Sequence, residues 1–120
     1  MDNIVRNMVS EHIMGWQQKT VRNNENDAPY YANYWLDANG EKQRPVNFWK
    51  PDLDLTDAFR VIEVLRERDI FITIETCRNG FKSYHNGIFA TESESSTLAI
   101  CIASLKSIDI EISDEYSVLK

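Results

Sequence analysis

Cysteine, histidine, proline and glycine are all scarce in this 120-residue chain, and each shortage removes a class of function. The two cysteines, Cys77 and Cys101, each sit in an apolar segment. They read as buried reduced thiols rather than as a disulfide framework or a Cys-x-x-Cys redox or metal motif. Four glycines in all leave no Gly-rich loop to cradle a phosphate and no dinucleotide fingerprint. The two histidines, His12 and His85, are set in no nucleophile motif such as Gly-x-Ser-x-Gly. No apolar run approaches the roughly 20 residues that span a bilayer. No basic-then-apolar stretch opens the chain, so a signal peptide is not expected and a cytoplasmic location is. Positive charge is also short: 13 Lys and Arg against 19 Asp and Glu give a formal charge of -6. That balance argues against binding extended nucleic acid or an anionic membrane. The acidic residues are interspersed with basic ones, which argues against an acidic DNA mimic.

What remains is an ordinary globular composition, 42% hydrophobic and 27% charged, in a length that suits one domain. Apolar residues Ile4, Val5, Met8, Val9 and Ile13 recur at helical spacing over residues 2–14. Asp2 or Asn3 is placed to cap that helix and Gly15 to end it, with Trp16 folding back. A short strand over 17–22 and a polar loop over 23–29 follow. Residues 30–36, rich in tyrosine and tryptophan, predict a strand. Asp37-Ala38-Asn39-Gly40 predicts a turn, and 42–49 a returning strand with Pro45 at an edge or bulge. Asp54 is the expected N-cap of a helix whose buried face would carry Leu55, Ala58, Phe59, Ile62 and Leu65. Residues 70–77, 81–85 and 88–91 predict a meander with turns at Asn79-Gly80 and Asn86-Gly87. The last helix, over 95–107 with Ser95 or Ser96 as cap, is apolar nearly all round and should be the most buried. The predicted fold class is α+β: an antiparallel sheet, meander plus aromatic hairpin, packed with two to three helices like a sandwich. A domain over 1–108 would be followed by an acidic tail or added strand over 109–120, where Ile108, Ile110 and Ile112 alternate.

The acidic run Asp52, Asp54 and Asp57 lacks the glycine and distal glutamate of a calcium loop, and carboxylates at a helix start are favoured by its dipole. No metal or cofactor is therefore expected. The aromatic group stands out. Tyr31, Tyr34, Trp35 and Trp49 lie close in sequence to Lys42 and Arg44, and these six are the candidate ligand-binding residues. Exposed aromatic rings beside cations hold bases and their phosphates, and the same composition marks protein–protein hot spots. The alternative is that the rings fill the core. Tyr34 and Trp35 are adjacent on a strand, so they point to opposite faces.

A series of local signatures resembles the phage ABA sandwich domain family. They are Glu11-His12-Ile13-Met14-Gly15-Trp16, Tyr34-Trp35, Phe48-Trp49-Lys50-Pro51, the helix from Asp54 to Leu65, Ala90-Thr91-Glu92-Ser93, and the apolar helix from Thr97 to Leu105. Together they cover about residues 1–108. The stretch 93–97 lacks a proline that the family would carry there. The resemblance implies a phage or prophage protein acting in the host cytoplasm, with helices on the faces of a sheet, and it brings no catalytic residues. Small proteins of this kind often counter host defence, which implies a non-enzymatic accessory protein acting by binding. Its partner would be a small nucleotide-like ligand to be sequestered or a host protein to be blocked. The alternative is a structural, self-assembling protein, with the last helix and the tail supplying a homo-oligomer interface.

Overall fold

The first helix shows how apolar spacing becomes packing. In a computed structural model, which describes residues 4–25 and 28–111, α1 (Ile4–Met8) runs into a wider π turn over Val9–Ile13. Val5, Val9 and Ile13 are buried along one side. The Met14 N–H donates to Val9 O across the wide turn, and the Trp16 N–H donates to Ser10 O. That closure needs a left-handed residue, and Gly15 supplies it at φ 74°. The caps proposed at Asp2 or Asn3, and the tail from Ile112 onward, lie outside the described residues.

Two separate three-stranded antiparallel sheets follow, in an α+β, sandwich-like arrangement with the helices. The first holds β1 (Gln17–Glu25), β2 (Ala28–Leu36) and β3 (Lys42–Pro45), in that order. The second holds β4 (Ile72–Cys77), β5 (Gly80–His85) and β6 (Ile88–Ser93). The aromatic hairpin thus forms its own sheet instead of extending the meander. It also reaches further than expected. Within the segment 23–29, read as loop, the described residues 23–25 and 28–29 continue both strands, with Asn23 opposite Tyr30 and Asn24 opposite Pro29. Backbone pairing and polar side-chain bonds such as Lys42 to Asn23 sustain this ribbon, so no apolar alternation announces it. The long hairpin helps give the molecule an extent of 54 × 29 × 22 Å.

The returning strand is shorter than the predicted 42–49. It ends at Pro45, where the missing N–H stops the ladder, and the chain enters a 3₁₀ turn over Val46–Phe48. Between β2 and β3, Asp37 Oδ1 accepts from the N–H groups of Asn39 and Glu41, and Gly40 takes φ 82°.

Two helices complete the core. α3 (Ser96–Ser107) packs on all three strands of the second sheet, and α2 (Leu55–Arg66) packs on α3. Ser95 caps α3 by accepting from the Leu98 N–H, and nearly every residue from Thr97 to Leu105 is buried. Asp54 caps α2 by accepting from the Asp57 N–H. The expected apolar face of α2 is half right. Ala58, Val61 and Leu65 are buried, whereas Leu55 and Phe59 are exposed. Two apolar arcs adjoin on this helix, and periodicity does not tell which one faces inward.

The meander's second turn, Asn86-Gly87, has both residues at positive φ. Its first turn is displaced by one residue from the prediction: Cys77 pairs with Gly80, so Arg78 and Asn79 are the central pair. Gly80 serves a different need. At φ 151°, a Cβ there would lie 2.4 Å from Ser93 O on β6. Cys101 is buried as expected, and burial pushes its thiol pKa up. Cys77 is only half-buried and faces Glu92, its Sγ 3.5 Å from Oε2.

Candidate functional site

The six aromatic and basic candidates separate into an inner and an outer group. Trp35 and Trp49 are both 0% exposed. The Trp49 ring meets Trp16 with centroids 4.8 Å apart, and its Nε1–H donates to the buried Ser10 hydroxyl at 2.8 Å. Both indoles are core residues, out of reach of a surface ligand. Arg44 lies over the Trp49 ring, 5.5 Å from its centroid, and donates to the Asp57 carboxylate at 3.1 Å and to Phe48 O at 2.6 Å. Asp57, also buried, accepts in addition from the Lys50 N–H. Arg44 and Asp57 thus clamp the β3 end to the start of α2, a structural pairing that the sequence reading missed. Its only sequence signal was the acidic helix start, which the dipole already explained.

Tyr31 and Tyr34 do come together. With Tyr30, Ala32, Asn33, Pro45, Asn47 and Phe48 they line a groove of about 450 Å³. Its origin lies in the strand lengths. β3 pairs only with Tyr34–Leu36, so past Tyr34 no described strand lies along that edge of β2. The 3₁₀ turn swings Phe48 out beside it, and both Tyr31 and Phe48 are 69% exposed. No charged side chain among the described residues lines the groove. Lys42 stands at its margin, 4.7 Å above the Tyr34 ring, but its ammonium already donates to Asn23 Oδ1 at 2.7 Å. A second hollow of about 480 Å³ lies over Gly15–Gln18 and is walled by Glu11 and Trp16. It has no exposed aromatic ring and one carboxylate.

The family model of the phage ABA sandwich domain matches residues 7–105. The chain belongs to the phage ABA sandwich domain family. That membership covers both sheets, α2 and nearly all of α3, and it marks the chain as a phage protein. No curated protein and no solved structure matches it.

The other ionisable groups of this phage ABA sandwich domain are dispersed. Asp52 pairs with Arg6 at 2.8 Å, Asp54 caps α2 and Asp57 holds Arg44, so the three carboxylates of the acidic run have different partners. No cluster of three His, Cys, Asp or Glu side chains able to hold a metal occurs among the described residues. His12 is exposed and His85 half-buried on β5, and neither forms an ion pair with a carboxylate among the described residues. On the outer face of the second sheet, Tyr84 donates to Glu75 at 2.7 Å. That hydrogen bond is the main reason its phenol pKa is raised above 10.0. No described helix is long and apolar enough to cross a membrane.

Proposed function

We propose that this phage protein acts by binding, not by catalysis, and that its target is an extended segment of a host protein taken up in the β2 groove. The observation that carries this reading is the uncovered edge of β2 beside Tyr31, Tyr34 and Phe48. A sheet edge offers backbone donors and acceptors at every second residue, and a peptide strand satisfies them while its side chains enter the flanking apolar hollows. Exposed tyrosine and phenylalanine supply the contact area typical of such sites. Blocking a host protein in this way would serve counter-defence in the host cytoplasm.

Sequestration of a nucleotide-type signal is the weaker use of the groove. Its rings offer stacking surfaces, but a phosphate needs free cations, and Arg44 and Lys42 are engaged elsewhere. The test compares tagged wild-type protein with a Tyr31→Ser, Phe48→Ser variant expressed in the host, using quantitative mass spectrometry of what co-purifies. Both side chains are exposed, so the variant should fold. A host protein captured by wild type and lost with the variant supports the reading. Capture that survives both substitutions, or none above background, sinks it. A native mass with an adduct of nucleotide size, lost on denaturation, transfers the groove to a small ligand.

A further inference from the structure

We propose that Pro29 and Pro45 bracket the hydrogen-bonding window of the β2 edge. A segment taken up there is read through the backbone of Tyr31 and cannot carry its ladder past Pro29. This rests on the reading of the edge as a peptide site, and adds which backbone atoms do the reading. The two prolines fix the phase of the strand independently. In an antiparallel pair, the N–H and C=O of one residue point to the same neighbour, and pairs that exchange both bonds alternate with pairs that exchange none. Pro45 stands opposite Tyr34 and has no N–H to give, so theirs is not an exchange pair. The exchange pair is the adjacent one, Trp35 with Arg44. The backbone groups of Trp35 therefore face β3, and by the period of two those of Asn33, Tyr31 and Pro29 face the same side. Pro29 gives the same phase from the other strand. It stands opposite Asn24, inside a register that runs unbroken from Gln17–Leu36 to Glu25–Ala28. Its nitrogen has no hydrogen to share with β1, which places it on the open edge.

The register of β3 ends at Tyr34–Pro45, and the chain turns away at Val46. Asn33 marks the point of departure. Further along the open edge, Tyr31 presents a donor and an acceptor, whereas Pro29 presents an acceptor alone. Tyr31 is thus the residue clear of β3 that can exchange both bonds with an incoming strand. A segment that reaches Pro29 has a carbonyl there with no donor to meet it, so pairing stops. Proline blunts sheet edges in this way. The class of segment follows. It is short and extended, and it carries free N–H groups at every second residue, those turned toward β2. Proline is admitted at the residues between, whose N–H groups point away. Its side chains fall alternately on the face of Tyr31 and on the face of Tyr30 and Ala32.

The probe is a peptide selected from a random nonapeptide display library on the immobilised full-length protein. It is then synthesised with a single N-methyl group at each position in turn. Calorimetric titration should show losses of about tenfold at every second position of the paired stretch and little change at the positions between. Pro29→Ala restores a donor at the edge and should tighten binding by about three- to tenfold, the worth of one hydrogen bond. The N-methyl series uses the wild-type protein, so it decides the matter even if Pro29→Ala misfolds. A peptide that needs Tyr31 and Phe48 side chains but shows no alternation overturns this inference and leaves the groove as a peptide site. So does one whose affinity is the same for a folded Pro29→Ala variant. No selected peptide, or one that binds the Tyr31→Ser, Phe48→Ser variant equally well, overturns both this inference and the reading on which it rests.

Discussion

Replacing Ser10 by alanine removes one oxygen atom from a fully buried polar contact of the fold. The Ser10 hydroxyl donates to Arg6 O at 2.7 Å and accepts the Trp49 Nε1–H at 2.8 Å, and both residues are fully buried. In the variant the indole N–H loses the hydroxyl that accepts it. An orphaned buried donor costs about 1–3 kcal/mol. Alanine returns roughly 0.5 kcal/mol through its better helix propensity. The expected net loss is therefore about 1–2 kcal/mol, or a fall in Tm of roughly 3–10 °C for a domain of this size. Urea unfolding with an unchanged m-value measures it. A double-mutant cycle with Trp49→Phe isolates the bond: Trp49→Phe should be less damaging when Ser10 is already alanine, by about 1 kcal/mol. Full additivity, or a Ser10→Ala loss within a few tenths of a kcal/mol, would refute the reasoning.

Other consequences are as direct. Gly80→Ala forces a Cβ against the backbone of β6, with Ser93 O at 2.4 Å, and should destabilise by more than about 1 kcal/mol in thermal unfolding. A thiol reagent should modify Cys77 in the native protein and reach Cys101 only after unfolding, because burial holds the Cys101 thiol protonated and inaccessible; labelling of both at native pH would contradict the packing of α3. Tyr84 should ionise above 10.0 in an ultraviolet titration, and Glu75→Gln should bring it down. Its raised folded value favours the fold below pH 10.0, and that contribution disappears as pH rises through the folded value.

Elements whose local chemistry and burial agree were readable in the sequence. The Ser95 cap and apolar run of α3, the Asp54 cap of α2 and the Asn86-Gly87 turn all lie where side-chain chemistry placed them. The family, too, was legible from short signatures spread along the chain. What was not legible depends on partners distant in sequence. Asn23 and Asn24 form a strand because β2 pairs with them, not because of their own propensity. On α2, Phe59 and Val61 are equally apolar, and only the position of α3 decides which one is buried. Trp35 and Trp49 carry the same composition signal as Tyr31, yet they lie in the core while Tyr31 stands in the groove. The groove itself follows from a length difference between β2 and β3, for which Pro45 was the one visible cause.

The central claim is that the β2 edge receives a host protein segment. The most direct measurement replaces Tyr31 with a photo-crosslinking amino acid and irradiates the host cells, with the same substitution at Arg60 on α2 as the comparison. The account predicts a discrete host-protein adduct at position 31 that is absent at position 60 and is outcompeted by unmodified protein. Equal labelling at both positions, or no adduct at position 31, would contradict it.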